Sequence, residues 1–271
     1  MEILRKPCQG VLNIVRFNWH FYLVAALSLA SLWVLAEQLS QPWRVCVMAA
    51  GALALLVMTV SLLASYYIYD VSGLYQLSWL PARHFGNILN VHAGFDETSA
   101  LLRAKYPGST LMVCDFYDPA KHTEVSIRRA RQAYPPYPGT LSANTAQLPF
   151  ADGFFDISCV IFAAHEIRDD AERASFFQEL KRVTKAGEQI YVTEHLRDLP
   201  NFLVYTIGFF HFLPQKAWFR TFEAAGLTLV KMEKATPFVT TFVLENHETC
   251  CGGGLWRWES PPPQQVYGTT P

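Results

Sequence analysis

The sequence predicts an α/β protein: a doubly wound, mostly parallel sheet that follows an N-terminal hairpin of two membrane-length helices. Three stretches carry this reading. Residues 87–115, NILNVHAGFDETSALLRAKYPGSTLMVCD, read as an apolar strand, a turn of small residues, a helix, a second strand and a terminal acid. Residues 157–162 are apolar on both faces, as strands inside parallel sheets are. Residues 19–36 and 45–69 carry no charge, and as helices they extend about 27 Å and about 37 Å, enough to cross a bilayer.

A chain of 271 residues accommodates one domain of moderate size and a smaller unit. Its net charge of −1 gives no pull toward nucleic acid, so none is expected as a partner. The basic cluster Arg128, Arg129 and Arg131 reads as the solvated face of a helix. Among the six cysteines, Cys114 and Cys159 lie in apolar runs and read as small buried residues suited to a reducing compartment. Cys250 and Cys251 are adjacent and lack the CxxC spacing of a metal site, so no metal is expected.

Residues 1–69 form the membrane unit, with spans at about 19–36 and 45–69 separated by a polar, proline-containing turn. Trp19, Tyr22, Trp43, Tyr66, Tyr67 and Tyr69 cluster at the ends of the spans, as interfacial aromatics do. Arg5, Lys6 and Arg16 precede the first span, Arg44 lies in the turn and Arg83 follows the second, which puts both ends in the cytoplasm. A cleaved signal peptide is one rival, but its apolar region would be about 7–15 residues with an A-x-A-like end, and this span is longer and ends differently. A soluble hairpin docked on the domain is another, disfavoured because 45–69 lacks a charged stripe. Residues 70–86 read as a linker, either an interfacial helix packed on the sheet or a lid. Residues 87–246 form the α/β domain, and from 247 the CCGGG and SPPPQQ composition is that of a disordered tail.

In a parallel β-α-β unit, the turn at 92–94 and Asp115 come side by side at the carboxyl ends of the strands, where doubly wound sheets bind nucleotides. Asp115 lies about twenty residues beyond the turn, the spacing at which a carboxylate can accept from both ribose hydroxyls of an adenosine. Dinucleotides need three glycines around their pyrophosphate, and here Gly94 is flanked by His92 and Asp96. Asp96 and Glu97 would repel a pyrophosphate but tolerate a sulfonium cation with an amino-acid tail. S-adenosyl-L-methionine therefore fits better than NAD.

Past Asp115, Phe116 is placed to lie on an adenine. A basic helix over about 123–133 ends at YPPYPG. A Leu148-Pro149-Phe150 corner leads from 142–147 to the strand at 157–162. The next helix ends near 183 at Lys185-Ala186-Gly187, and a strand over 189–195 succeeds it. Residues 198–218, DLPNFLVYTIGFFHFLPQKAW, are aromatic with few charges, which suits either core or the roof of a pocket for an apolar ligand. A helix over 217–226 and a hairpin-like pair, 227–234 and 238–245, close the sheet.

LPFADGFFDIS, FAAHEI and FFQELKRVTKAGEQIYVTEHL, in that order, resemble the second half of a class I S-adenosylmethionine-dependent methyltransferase. The subgroup is the one that includes the ubiquinone/menaquinone C-methyltransferases, and the resemblance runs over residues 87–246. It implies a Rossmann-like sheet of seven strands. It also implies roles: Asn90, His92, Ala93, Gly94 and Asp96 in the loop around the methionine part, Asp115 on the ribose and Phe116 on the adenine. Asn144 and Thr145 fall beside the adenine amino group, where the Asn144 amide oxygen could accept from it. Phe162 and Ala163 line the transfer face. Asn90 stands where the family has an acid, and His92 and Asp96 where it has glycines, which leaves open an altered cradle or weakened cofactor binding.

Methyl transfer is an in-line displacement in which the enzyme chiefly positions the groups, and a base is needed when the acceptor carries a proton. His165 is the first candidate for that base, with Glu166 orienting it or binding substrate; capping of the next helix is the plain alternative. Tyr75, His195, Phe209 and His211 are candidate acceptor contacts. The expected function is methyl transfer to a lipophilic small-molecule acceptor, aromatic or quinone-like, otherwise lipid, at the cytoplasmic face of a membrane. A non-catalytic membrane adaptor with a degenerate fold is the alternative, and no oligomeric state is indicated.

Overall fold

The two uncharged runs lie in α2 (Trp19–Glu37) and α3 (Gln41–Tyr66), the latter opened by Pro42 in its first turn. Their apolar windows have mean hydropathies of 1.6 and 2.4 and are only 6% and 0% buried. The domain leaves both helices largely uncovered, so by length, composition and exposure they are candidate spans. The computed structural model describes residues 5–247; Cys250, Cys251 and the expected tail lie outside them.

A further helix, α1 (Gln9–Phe17), for which the sequence reading has no counterpart, precedes α2. It lies on the segment that leaves α3. Gly10 and Val11 donate their backbone N–H groups to the two Asp70 carboxylate oxygens at 2.8 and 2.9 Å, and a Cβ at Gly10 would collide with that of Tyr69. The linker is not the expected interfacial helix. α3 ends in a single π turn, Tyr67–Val71, followed by a short 3-10 turn, Leu74–Gln76. Gly73 and Leu77 take left-handed backbone angles, which a helix cannot pass through. Leu74, Leu77 and Leu80 are buried, so the linker packs on the domain.

The sheet has seven strands: β1 (Asn87–His92), β2 (Thr110–Asp115), β3 (Leu141–Ser142), β4 (Phe155–Ile161), β5 (Thr184–His195), β6 (Thr228–Thr236) and β7 (Val239–Glu245). Their order is β3-β2-β1-β4-β5-β7-β6. The first five run parallel, and β7 is antiparallel to both its neighbours. Two boundaries depart from the sequence reading. β3 forms where only a lead-in to a corner was expected. β5 starts at Thr184, because Gly187 (φ +75°) turns the chain within the strand instead of stopping the helix before it.

The helices that cover the sheet are α4 (Ser99–Lys105), α5 (Val125–Ala133), α6 (Asp170–Val183), α7 (Leu199–Tyr205) and α8 (Gln215–Ala224). Alternation along the strands sends Leu89, Val91 and Val160 to one face, against Phe176, Phe177 and Trp218. Ile88, Cys159 and Tyr191 point to the other face, against Leu77 and Leu80 of the linker. The register of β1 on β2 pairs His92 with Asp115, and this brings the turn and the acid together at the carboxyl edge.

Candidate functional site

At the end of β1 three polar side chains each have one buried atom left without a partner: Asn90 Oδ1, His92 Nε2 and Asp96 Oδ2. Their other atoms are committed. Asn90 Nδ2 donates to the Thr98 and Ser99 hydroxyls at 3.0 and 2.9 Å. Asp96 Oδ1 accepts from the Thr98 and Ser99 N–H groups, both at 2.9 Å, which fixes the entry to α4. His92 Nδ1 accepts from the Gly94 N–H at 3.2 Å. Burial pushes the His92 imidazole below its ordinary pKa despite Asp96 and Asp115 nearby, so it is neutral. Gly94 has φ +97°, and a Cβ there would come within 2.9 Å of the Tyr117 ring, so the position needs glycine for angle and space alike.

Unpaired buried polar atoms are costly, and three along one turn fit the cradle of a ligand with both donors and acceptors. An amino-acid ammonium and carboxylate have that chemistry. The Ala93 backbone belongs to the same turn. Asp115 is placed as the sequence predicted, yet its carboxylate is not free: Oδ1 accepts from the Tyr117 N–H at 2.9 Å, and Oδ2 is ion-paired with Arg131. Arg131 lies over the Tyr117 ring, 4.4 Å from its centroid. The basic cluster is therefore solvated only in part: Arg128 and Arg131 are exposed, but Arg131 also pairs with Asp115. Arg129 also turns inward, to the Phe17 carbonyl at 2.6 Å and to His20 at 2.7 Å.

The crevice holds three separate cavities. One of about 250 Å³ is lined by Phe116, Tyr117, Asn144, Thr145 and Glu172, and corresponds to the expected adenine side. Asn144 Oδ1 accepts from the Ala146 N–H at 2.7 Å, which leaves its second lone pair and the NH2 group for a ligand. Thr145 donates to Glu172 at 2.6 Å. A second, of about 140 Å³, is lined by Tyr75, His92, Ala93, Glu97, Phe162 and Glu166, among others. A third, of about 50 Å³, lies between Gly94, Asp96 and Arg131.

The 140 Å³ cavity adjoins the titratable cluster. His165 Nδ1 is 2.7 Å from Glu194 Oε2, and its Nε2 is 3.3 Å from Glu166 Oε1. Burial alone would lower the His165 pKa, but the two carboxylates outweigh it and push it up to about 10. Burial likewise opposes charge on Glu166, yet hydrogen bonds to His165 and His211 hold its carboxyl well below the usual range. His165 is thus an imidazolium at neutral pH, and in that state it is not the free base expected from the sequence. His211 Nε2 lies 3.7 Å from Glu166. The donor atoms of His165, Glu166 and His211 all fall within 4.8 Å of one another. Arg168 donates to the His211 ring at 2.7 Å and supplies positive charge there.

Two expected acceptor contacts are placed elsewhere. His195 is stacked between Phe162 and Phe212, at centroid distances of 5.2 and 4.8 Å. Its Nε2 meets the Tyr69 hydroxyl at 2.8 Å, and burial drives its pKa down to about 4, so the ring is a neutral structural acceptor. Phe209 packs on Phe202 and Phe210 within the 198–218 insertion, outside the described cavities. Phe162, at the cavity wall, holds a left-handed φ of +51°, a strain that a phenylalanine adopts only when its surroundings impose it.

Neither Tyr69 nor Glu97 has a contact assigned from the sequence. Tyr69 reads as one more interfacial aromatic, and Glu97, with Asp96, as an acid that a pyrophosphate would avoid. Glu97 in fact gathers Arg5 at 2.9 Å, the Tyr75 hydroxyl at 2.9 Å and Asn13 at 3.5 Å, and so ties the N-terminal segment to the cavity.

Residues 89–192 match the model of a methyltransferase domain. Solved structures that resemble the chain include a SAM-dependent methyltransferase from Methanosarcina mazei, at 16% identity over 63% of this chain and 96% of that one, with a TM-score of 0.46. Human N-acetylserotonin methyltransferase in complex with SAM shares 14% identity over 71% of this chain and 56% of its own, with a TM-score of 0.49. An O-methyltransferase family 2 protein from Planctomyces limnophilus, in complex with apigenin, shares 14% over 74% and 67%, with a TM-score of 0.47. Curated protein sequences give no match. The matched segment and the seven-stranded sheet give the chain the class I methyltransferase fold expected from its motifs.

Proposed function

We propose, for a chain that carries a methyltransferase domain, that it is a SAM-dependent enzyme that methylates a lipophilic acceptor at the cytoplasmic face of a membrane. The observation that carries this reading is the path of the chain out of α3. Within ten residues of that helix, Tyr75 reaches the crevice, so the acceptor cavity opens close to where an apolar helix ends. A substrate dissolved in the bilayer then has a short path to it.

The unpaired Asn90, His92 and Asp96 atoms and the Asp115 carboxylate are the groups that would hold S-adenosylmethionine, which supplies an electrophilic methyl group when bound. The protein's part is placement. Tyr75, Phe162 and Glu166 wall the acceptor's space, and the linker covers it from the membrane side. His165 holds its proton between Glu194 and Glu166, so at neutral pH it can donate to an acceptor oxygen that bears or develops negative charge, as a phenolate or enolate does. It becomes a base only when one carboxylate is withdrawn or neutralised.

Incubating membranes that contain the protein with methyl-labelled S-adenosylmethionine tests the proposal. Label should enter the solvent-extractable lipophilic fraction, and labelling of polar metabolites alone would remove the lipophilic part. One observation favours the adaptor reading, the engagement of Asp115 by Arg131. Thermal shift with S-adenosylhomocysteine separates the two, since an adaptor that has lost the site shows no response at millimolar ligand.

A further inference from the structure

After Val71, ten large apolar side chains are exposed among the described residues, and five of them, Leu199, Phe202, Leu203, Ile207 and Phe210, fall within one twelve-residue stretch. Ile207 is 83% exposed, more than any other large apolar residue described. Isolated exposed leucines are ordinary, but a contiguous set on one projection marks a surface with a partner. The set lies on α7 and the 3-10 turn Thr206–His211 that follows it.

We infer that this projection is a second membrane contact: the α7 turn of the catalytic domain inserts its apolar side chains into the same bilayer leaflet that α3 leaves. Continuity with the spans argues for lipid as the occupant. α7 packs beside α3, and the Tyr205 hydroxyl lies 3.5 Å from Ser65 Oγ near the end of that helix. The apolar side chains of α7 therefore continue the apolar surface of the span at the depth where the span ends.

The polar groups of the projection are arranged for this. A segment entering lipid must satisfy its backbone internally. Here Arg197 donates to the Phe212 and Phe210 carbonyls at 2.8 and 2.7 Å, and Arg168 to the His211 carbonyl at 2.7 Å. Both guanidinium groups sit at the base of the projection, where long basic side chains can lie at headgroup level above an inserted apolar surface. The uncharged, aromatic composition that made residues 198–218 resemble core is thereby explained, because lipid covers what the protein does not.

The inference rests on the reading that α2 and α3 span a membrane, and the test separates the two. An environment-sensitive NBD fluorophore is placed at Ile207→Cys, and as a control at Asp152→Cys on the opposite edge of the sheet. Cys8, Cys46, Cys250 and Cys251 are replaced by serine. The full-length protein is reconstituted in phosphatidylcholine nanodiscs with or without doxyl-labelled lipid. The expected result is blue-shifted emission at position 207 that doxyl lipid quenches and aqueous iodide does not, with the converse at position 152. Iodide quenching at 207 in a chain that resists alkaline carbonate extraction overturns the inference alone. Protection from both quenchers would mean that protein, not lipid, covers the patch, and this too overturns it. Release of the chain by carbonate overturns the spanning reading itself.

Discussion

Arg131, on α5, holds the carboxylate of Asp115 at the end of β2, and its guanidinium lies on the Tyr117 ring that packs over Gly94. The acid placed to grip a ribose is therefore covered by a cation. On the same helix, Arg129 bonds to Phe17 and His20 at the junction of α1 and α2. The structure thus has α5 bridging the helical hairpin and the carboxyl end of β2, and a ligand that takes Asp115 has to displace Arg131.

The two residues should respond in opposite directions. Asp115→Ala removes charged hydrogen bonds to the ribose, each worth about 1.5–3 kcal/mol, and should weaken S-adenosylhomocysteine binding at least about tenfold. Arg131→Ala removes the competitor and should tighten it. Titration calorimetry on both variants reads the result, and weaker binding by Arg131→Ala would make Arg131 a ligand contact instead of a cover.

His165 makes stability depend on pH in a defined direction. Its folded-state pKa is raised from 6.5 to about 10 by Glu194 and Glu166 against the effect of burial. The associated stability is fully present below 6.5 and is lost as pH rises toward 10. Glu194→Gln removes the largest favourable contribution. The melting temperature of the variant should lie below that of the parent at pH 7, and the gap should close by pH 10. A gap independent of pH would mean that Glu194 acts by packing and not through the charge of His165.

The sheet was legible because its signals are local. Apolar runs of strand length, the small turn after Val91 and the acid after Cys114 each announce themselves within a few residues. The site was legible only where it follows the strands, at residues 90–96, Asp115 and 165–166. What the sequence hid depends on contacts across long separations, such as Arg131 on Asp115, Tyr69 on His195 and Asp70 on the start of α1. The failed assignment of a helix to residues 70–86 has a different origin. The aromatic spacing there is helical, but Gly73 and Leu77 adopt left-handed angles that the pattern of apolar residues does not encode.

Asp70 anchors α1 through two charge-assisted bonds, to Gly10 and Val11. Asp70→Ala should release the helix from the crevice mouth. Amide protection over residues 9–17 in hydrogen exchange should fall at least about tenfold, while β1 and β4 keep theirs. Gly10→Ala should have the same effect by collision with Tyr69. Unchanged protection in both variants would mean that α1 is held by its apolar face, where Phe17 packs on Phe95 and Tyr134.

Tyr69 and His195 give the last test, because the bond between them joins the segment that leaves α3 to the fifth strand. The Tyr69 hydroxyl lies 2.8 Å from His195 Nε2, while Nδ1 of the same ring lies 3.1 Å from the Phe238 carbonyl. With burial keeping the ring neutral, Nδ1 carries the proton toward that carbonyl and Nε2 is the acceptor. Tyr69→Phe leaves Nε2 buried and unpaired, at a cost of about 1–3 kcal/mol. For a domain of this size that corresponds to a fall in melting temperature of about 2–4 °C for each kcal/mol. His195→Phe preserves the stack between Phe162 and Phe212 and removes the acceptor, so adding Tyr69→Phe to it should cost little more. Additive losses in the double variant would mean that the two side chains stabilise the junction independently, and that the bond between them does not couple the hairpin to the sheet.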